Sequence, residues 1–212
     1  MRPFTIDIDP DAADADGLGA SNSSAGATYT LDGVLTSGGV FTSADGLAHR
    51  LNITDVGADI QTTATYTITG TDSSGAALTE DIAGPGASAT VESTEYFLTV
   101  TSITIASPVA GSTASIGTVD EVTTAPIPVN WRADYGVNIS VDVTGTLNFT
   151  AQETFVAIQK QTPFWVDITA LAAKTADTTS SSTVAATAIR LVLNSYSTGA
   201  EIQAYCTQPD NC

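Results

Sequence analysis

The chain has 212 residues, 42% of them hydrophobic but only 7% aromatic, which bounds it to one large or two small domains with thin cores of Ile, Leu and Val. Six Lys and Arg oppose 23 Asp and Glu, a formal net charge of −17. That balance argues against nucleic acid, whose affinity comes largely from neutralised phosphates, and against anionic membrane surfaces.

Every sustained stretch reads as β. Residues 1–26 form an exception: Asp7, Asp9, Asp11, Asp14 and Asp16 fall among Ala, Gly and Ser, so an extended acidic arm is expected. Residues 27–35 read as a strand running into an Asp32-Gly33 turn, with 36–39 as a loop. Over 47–56, Leu47, His49, Leu51 and Ile53 share one parity. Residues 61–70 give the clearest strand, with Tyr66 and Ile68 inward and Thr65, Thr67 and Thr69 outward. The cluster Thr-Asp-Ser-Ser-Gly (71–75) predicts a turn, and 77–82 the returning partner. The strand at 97–105 breaks parity: Leu98 and Val100 are even, Ile103 and Ile105 odd. A β-bulge near Thr101-Ser102 would place all four on one face. A short strand at 114–117 closes this part.

Residues 121–130 carry two prolines and no core pattern, so they read as a linker. The expected organisation is therefore an arm (1–26), an N-terminal domain (27–120), the linker, and a C-terminal domain (131–212). The second domain has its strength in 137–158 and 186–206, and the Ala/Thr/Ser-rich middle, 169–185, reads as a loop. The fold class is all-β, two antiparallel β-sandwich or jelly-roll-like domains.

Few residues carry chemistry. His49 is the single histidine, no Gly-x-Ser-x-Gly elbow accompanies it, and its parity with Leu47 and Leu51 makes it structural. Asp7-x-Asp9-x-Asp11 alternates like a calcium loop, but Gly is missing at its sixth position and Glu at its twelfth. Glu80-Asp81 and Asp120-Glu121 are neighbours and would point to opposite faces of a strand, unlike the carboxylate pair of a glycoside hydrolase. Cys206 and Cys212 enclose a loop short enough for a disulfide, which a reducing cytoplasm would leave open until release. Neither enzyme activity, cofactor nor metal is expected. No apolar run approaches the roughly 20 residues of a membrane span, and the N-terminus lacks the apolar core of a signal peptide, so a soluble protein made in a cytoplasm is expected.

Several phrases carry a resemblance. They are Asp-Ala-Asp-Gly (14–17), Leu-Asp-Gly-Val-Leu-Thr-Ser-Gly-Gly-Val (31–40), the hairpin phrase 66–80, and Tyr-Phe-Leu-Thr-Val-Thr-Ser-Ile (96–103). In the second half they are 137–155, Pro-Phe-Trp-Val-Asp (163–167) and 186–195. Together they resemble structural proteins of tailed bacteriophage virions, over most of 14–205 and without the Cys pair. The resemblance implies a capsid decoration (cement) protein on the outer surface of the assembled head. It would bind the major capsid protein as a homo-trimer, outside the capsid, after assembly in the bacterial host cytoplasm. The alternative it allows is a tail or neck component, or a head fibre that binds host-surface glycan. On the first reading Phe4, Ile6 and Ile8 of the arm are the partner contacts. On the alternative Trp131, Tyr135 and Trp165 are glycan-stacking candidates.

Overall fold

The computed structural model describes residues 3–129, 136–158, 163–182 and 184–208. In chain order the strands are β1 (Phe4–Ile8), β2 (Gly19–Ser23), β3 (Thr28–Tyr29), β4 (Thr36–Ser37), β5 (Val40–Thr42), β6 (Ala48–Asp55), β7 (Thr65–Thr71), β8 (Ala77–Ala83) and β9 (Thr90–Glu92). They continue as β10 (Thr99–Ala106), β11 (Thr113–Thr123), β12 (Ile127–Pro128), β13 (Asn138–Thr144), β14 (Leu147–Thr154), β15 (Val166–Asp167), β16 (Thr178–Ser181), β17 (Ala188–Tyr196) and β18 (Glu201–Thr207). One 3-10 turn spans Thr169–Leu171. The protein is all-β, with several antiparallel sheets in a sandwich-like arrangement. Among the described residues no helix is long and apolar enough to cross a membrane.

The chain forms two compact units. Ala13–Asp120 make one, and the residues up to Ala12 together with those from Glu121 onward make the other. In the first, one sheet has the order β4-β5-β10-β7-β8, with β3 also on β10; the opposing strands are β9, β6, β11 and β2. Alternation explains how they close. Tyr66 and Ile68 of β7 and Val100, Ile103 and Ile105 of β10 are buried in one cluster with Leu51 and Ile53 of β6 and Ala114 and Ile116 of β11. Each such Val, Leu or Ile side chain stabilises by about 1.5–3 kcal/mol relative to leaving it in water. The parity break in β10 is a bulge: its register with β7 shifts between Val100 and Ser102. The β7–β8 hairpin turns at Asp72, whose Oδ1 accepts from the Ser74 and Ala76 amides at 2.8 and 2.9 Å, while Gly75 takes φ +80. Asp72 thereby holds the turn in the shape an Asx residue favours.

In the second unit one sheet has the order β1-β18-β13-β16; β15, β14, β17 and β12 pair in the other, with the end of β11 on β17. Ile139, Val141, Ile202, Ala204 and Cys206 are buried on the first sheet, and Phe149, Ala151, Ile189, Leu191 and Leu193 on the second.

The expected domain map changes at three places. Residues 3–26, the described part of the expected arm, do not form an arm. Phe4–Ile8 pair with β18 along their length, from Phe4↔Cys206 to Ile8↔Ile202. Their apolar residues alternate with Thr5 and Asp7, which is a strand pattern that acidity masked. Residues 14–19 are tied down too: the Thr118 amide donates to the Asp14 carbonyl at 2.8 Å, and the Leu18 amide to the Ile116 carbonyl at 2.9 Å. The expected linker at 121–130 begins as the end of β11 and contains β12, where Ile127 and Pro128 pair with Ile189 and Ala188. Proline tolerates such an edge position because it needs no ladder donor there. Finally, the Thr/Ser-rich middle at 169–185 holds the 3-10 turn and β16, which pairs with β13 from Asn138↔Ser181 to Val141↔Thr178.

Candidate functional site

The outward face of the β1-β18-β13-β16 sheet is the site the second unit presents. In β18, Glu201, Gln203, Tyr205 and Thr207 are exposed while the residues between them are buried. Register sets rows across the strands. One row runs Thr5, Tyr205, Ser140, Thr179, and the next runs Asp7, Gln203, Asp142. Tyr205 keeps 46% of its surface in solvent. Its hydroxyl donates to Gln203 Oε1, and the Gln203 amide donates to Asp7 Oδ1 at 2.8 Å. Ser140 and Thr179 hydroxyls lie 2.9 Å apart, and Asp177 Oδ1 accepts from the Val143 amide at 2.9 Å.

Two shallow clefts share Asp142. One, of about 300 Å³, is lined by Asp7, Asp9, Asp142 and Glu201 with Thr144 and Gln203. The other, of about 320 Å³, is lined by Ser140, Asp142, Asp177, Thr179 and Tyr205. No Lys or Arg lines either. Like charges at this density repel one another and draw an opposite charge. Among the described residues no group of three or more His, Cys, Asp or Glu is arranged to hold a metal ion.

The residues singled out in the sequence fall elsewhere. Phe4, Ile6 and Ile8 sit on the inward parity of β1, opposite buried Cys206, Ala204 and Ile202. Ile8 is buried and the other two half-buried, so they serve the unit's own core and are not an arm's contacts. Trp165 is half-buried beside β15, and the Arg190 guanidinium lies 4.5 Å from its ring centroid. That cation–π contact occupies a ring face a sugar would need. Trp131 and Tyr135 lie outside the described residues. Cys206 is a buried free thiol, pushed up to about 11 by burial, and Cys212 lies outside the described residues.

His49 is buried in β6, with Nε2 3.1 Å from Asp45 Oδ2. Asp45 Oδ1 also accepts from the Ser43 hydroxyl at 2.5 Å and the Leu47 amide at 2.8 Å. The carboxylate therefore stands between serine and imidazole. A nucleophilic triad needs the imidazole between the other two. Of the adjacent carboxylates, Glu80 accepts from the Thr94 amide and hydroxyl, each at 2.7 Å, and Asp81 from the Thr67 hydroxyl at 2.6 Å. Both hold loops and strands together. In the Asp-rich N-terminal stretch, the neighbouring Asp14 raises Asp16 above the usual carboxylate range.

Sequence reasoning missed Tyr205, Asp142 and Asp177. The alternation of 201–207 was a usable signal, since it places Glu201, Gln203 and Tyr205 on one face. Asp177 had none, because its Thr/Ser-rich surroundings read as a loop. No family model matches the chain, and no curated protein or solved structure matches it.

Proposed function

We propose that this chain is a structural protein of a bacteriophage virion, and specifically a capsid decoration protein that binds the outer surface of the assembled head. The observation that carries the reading is the outward face of the β1-β18-β13-β16 sheet, polar, acidic and broken by one half-exposed aromatic. The resemblance of its hairpin phrases to phage virion proteins points the same way. A charge of −17 favours docking onto a more basic protein surface. A protein that binds the assembled shell and not its free subunits stabilises the shell by mass action. A homo-trimer would let one molecule bridge several major capsid subunits.

Quantitative mass spectrometry of separated heads and tails tests this. The expected result is a copy number comparable to that of the major capsid protein, confined to heads. A few copies found only in tails would overturn it.

A further inference from the structure

We infer that the outward face of the β1-β18-β13-β16 sheet docks a basic, extended polypeptide segment, with one Lys or Arg side chain on the Tyr205 ring between Asp142 and Asp177 and a second among Asp7, Asp9 and Glu201. The inference rests on the docking reading above and names the chemistry of the partner.

Charge complementarity selects the occupant. Here five carboxylates line two adjoining clefts without one Lys or Arg. Tyr205 supplies an independent feature, an aromatic ring 46% exposed in the middle of a polar sheet face. A ring flanked by carboxylates attracts a cation twice, through its quadrupole and through charge-assisted hydrogen bonds. The ring is also preset, because its hydroxyl is tied to Gln203 and Gln203 to Asp7. A neutral sugar would use the ring but leave the carboxylates mutually repelling; a cationic side chain relieves that repulsion. Glu201 and Tyr205 are four residues apart on β18, about 13 Å along the strand. An extended segment with Lys or Arg on alternate positions spans that distance on one face.

The test is titration of the full-length protein with a short alternating Lys-Ser peptide, read by calorimetry at about 0.15 M salt, with a Glu-Ser peptide as control. Two double variants remove the same charge: Asp142→Asn with Asp177→Asn on the face, and Asp120→Asn with Glu95→Gln, exposed residues that line neither cleft. Asparagine at 177 keeps an acceptor for the Val143 amide. The face pair is expected to weaken Lys-Ser binding about tenfold and the remote pair less than about twofold. Tyr205→Ala should weaken it about fivefold, and Tyr205→Phe less than about twofold, because the ring face is kept and only its tether to Gln203 is lost. Equal losses from the two double variants, an unaffected Tyr205→Ala, or no binding of the peptide by the unmodified protein each overturn the proposal. Co-sedimentation with heads separates the two readings. Heads that bind the face variant as well as the unmodified protein refute this surface and leave decoration standing. Heads that bind neither refute decoration itself.

Discussion

Asp55 is a carboxylate inside the Ala13–Asp120 unit, 3% exposed. Burial works to raise its pKa, but donors outweigh it: the Ser88 amide and the Gln61 side chain, each at 2.8 Å, with the Gly57 and Asp59 amides. The net result lies below the usual carboxylate range. A depressed folded-state pKa stabilises above the unfolded value, about 3.9, and the stabilisation is lost as pH falls through the folded value. Asp55→Asn should therefore cost about 1–3 kcal/mol at neutral pH. In denaturant melts run at falling pH, its difference from the parent should shrink below about pH 4. Gln61 links this carboxylate to Tyr66, whose hydroxyl donates to Gln61 Oε1 at 2.5 Å. Nothing in Thr-Asp-Val or Ile-Gln-Thr announces such a network, because partners 33 residues apart in sequence meet only after folding. Cys206 offers a second test. In a Cys212→Ser background its buried thiol should resist a thiol reagent in the native state and react fully in denaturant. Gly117 offers a third: a Cβ there would lie 2.0 Å from the Asp14 carbonyl oxygen. Gly117→Ala should lower the melting stability by about 1–3 kcal/mol.

The bulge in β10 is the element most visible from sequence. Parity alone puts Val100 out of step with Ile103 and Ile105, and one extra residue restores a common face for these three, whereas Leu98 precedes β10 and is half-buried, its neighbour Phe97 joining the core instead. Deleting Thr101 would turn Ile103 and Ile105 outward or force the pairing with β7 to slip. The expected outcome is loss of cooperative unfolding for that unit, seen as loss of amide protection in β7 and β10. β1 shows the opposite case. Five acidic residues within a span rich in Ala, Gly and Ser obscure a five-residue alternation. Removing residues 1–9 should bare the β18 backbone, raise exchange across Glu201–Thr207 and promote aggregation through the new edge. β2 and β16, Gly-Ala-Ser-Asn-Ser and Thr-Thr-Ser-Ser, were illegible for a simpler reason. They bury little, so their strand state is imposed by the neighbours they pair with.

Across the whole molecule, 23 acidic side chains against six basic ones make self-repulsion a term in stability. Raising salt from about 0.02 to 0.2 M shortens the screening length to below about 10 Å. The melting temperature should rise over that range, and a flat response would show the charges to be too dispersed to matter. Composition and alternation by themselves determined the all-β class, the β7–β8 hairpin, the bulge in β10 and the inward faces, since a period of two is a local property of the chain. They did not determine which segments share a unit. Residues up to Ala12 join those beyond Glu121 because β1 finds its partner nearly 200 positions away in β18, and hydrogen-bond pairing over such a span leaves no local trace. The acidic face is decided the same way. Asp7, Asp142, Asp177 and Glu201 are scattered in sequence, and only the strand order β1-β18-β13-β16 sets them along one face, Asp142 and Asp177 in the cleft that Tyr205 lines.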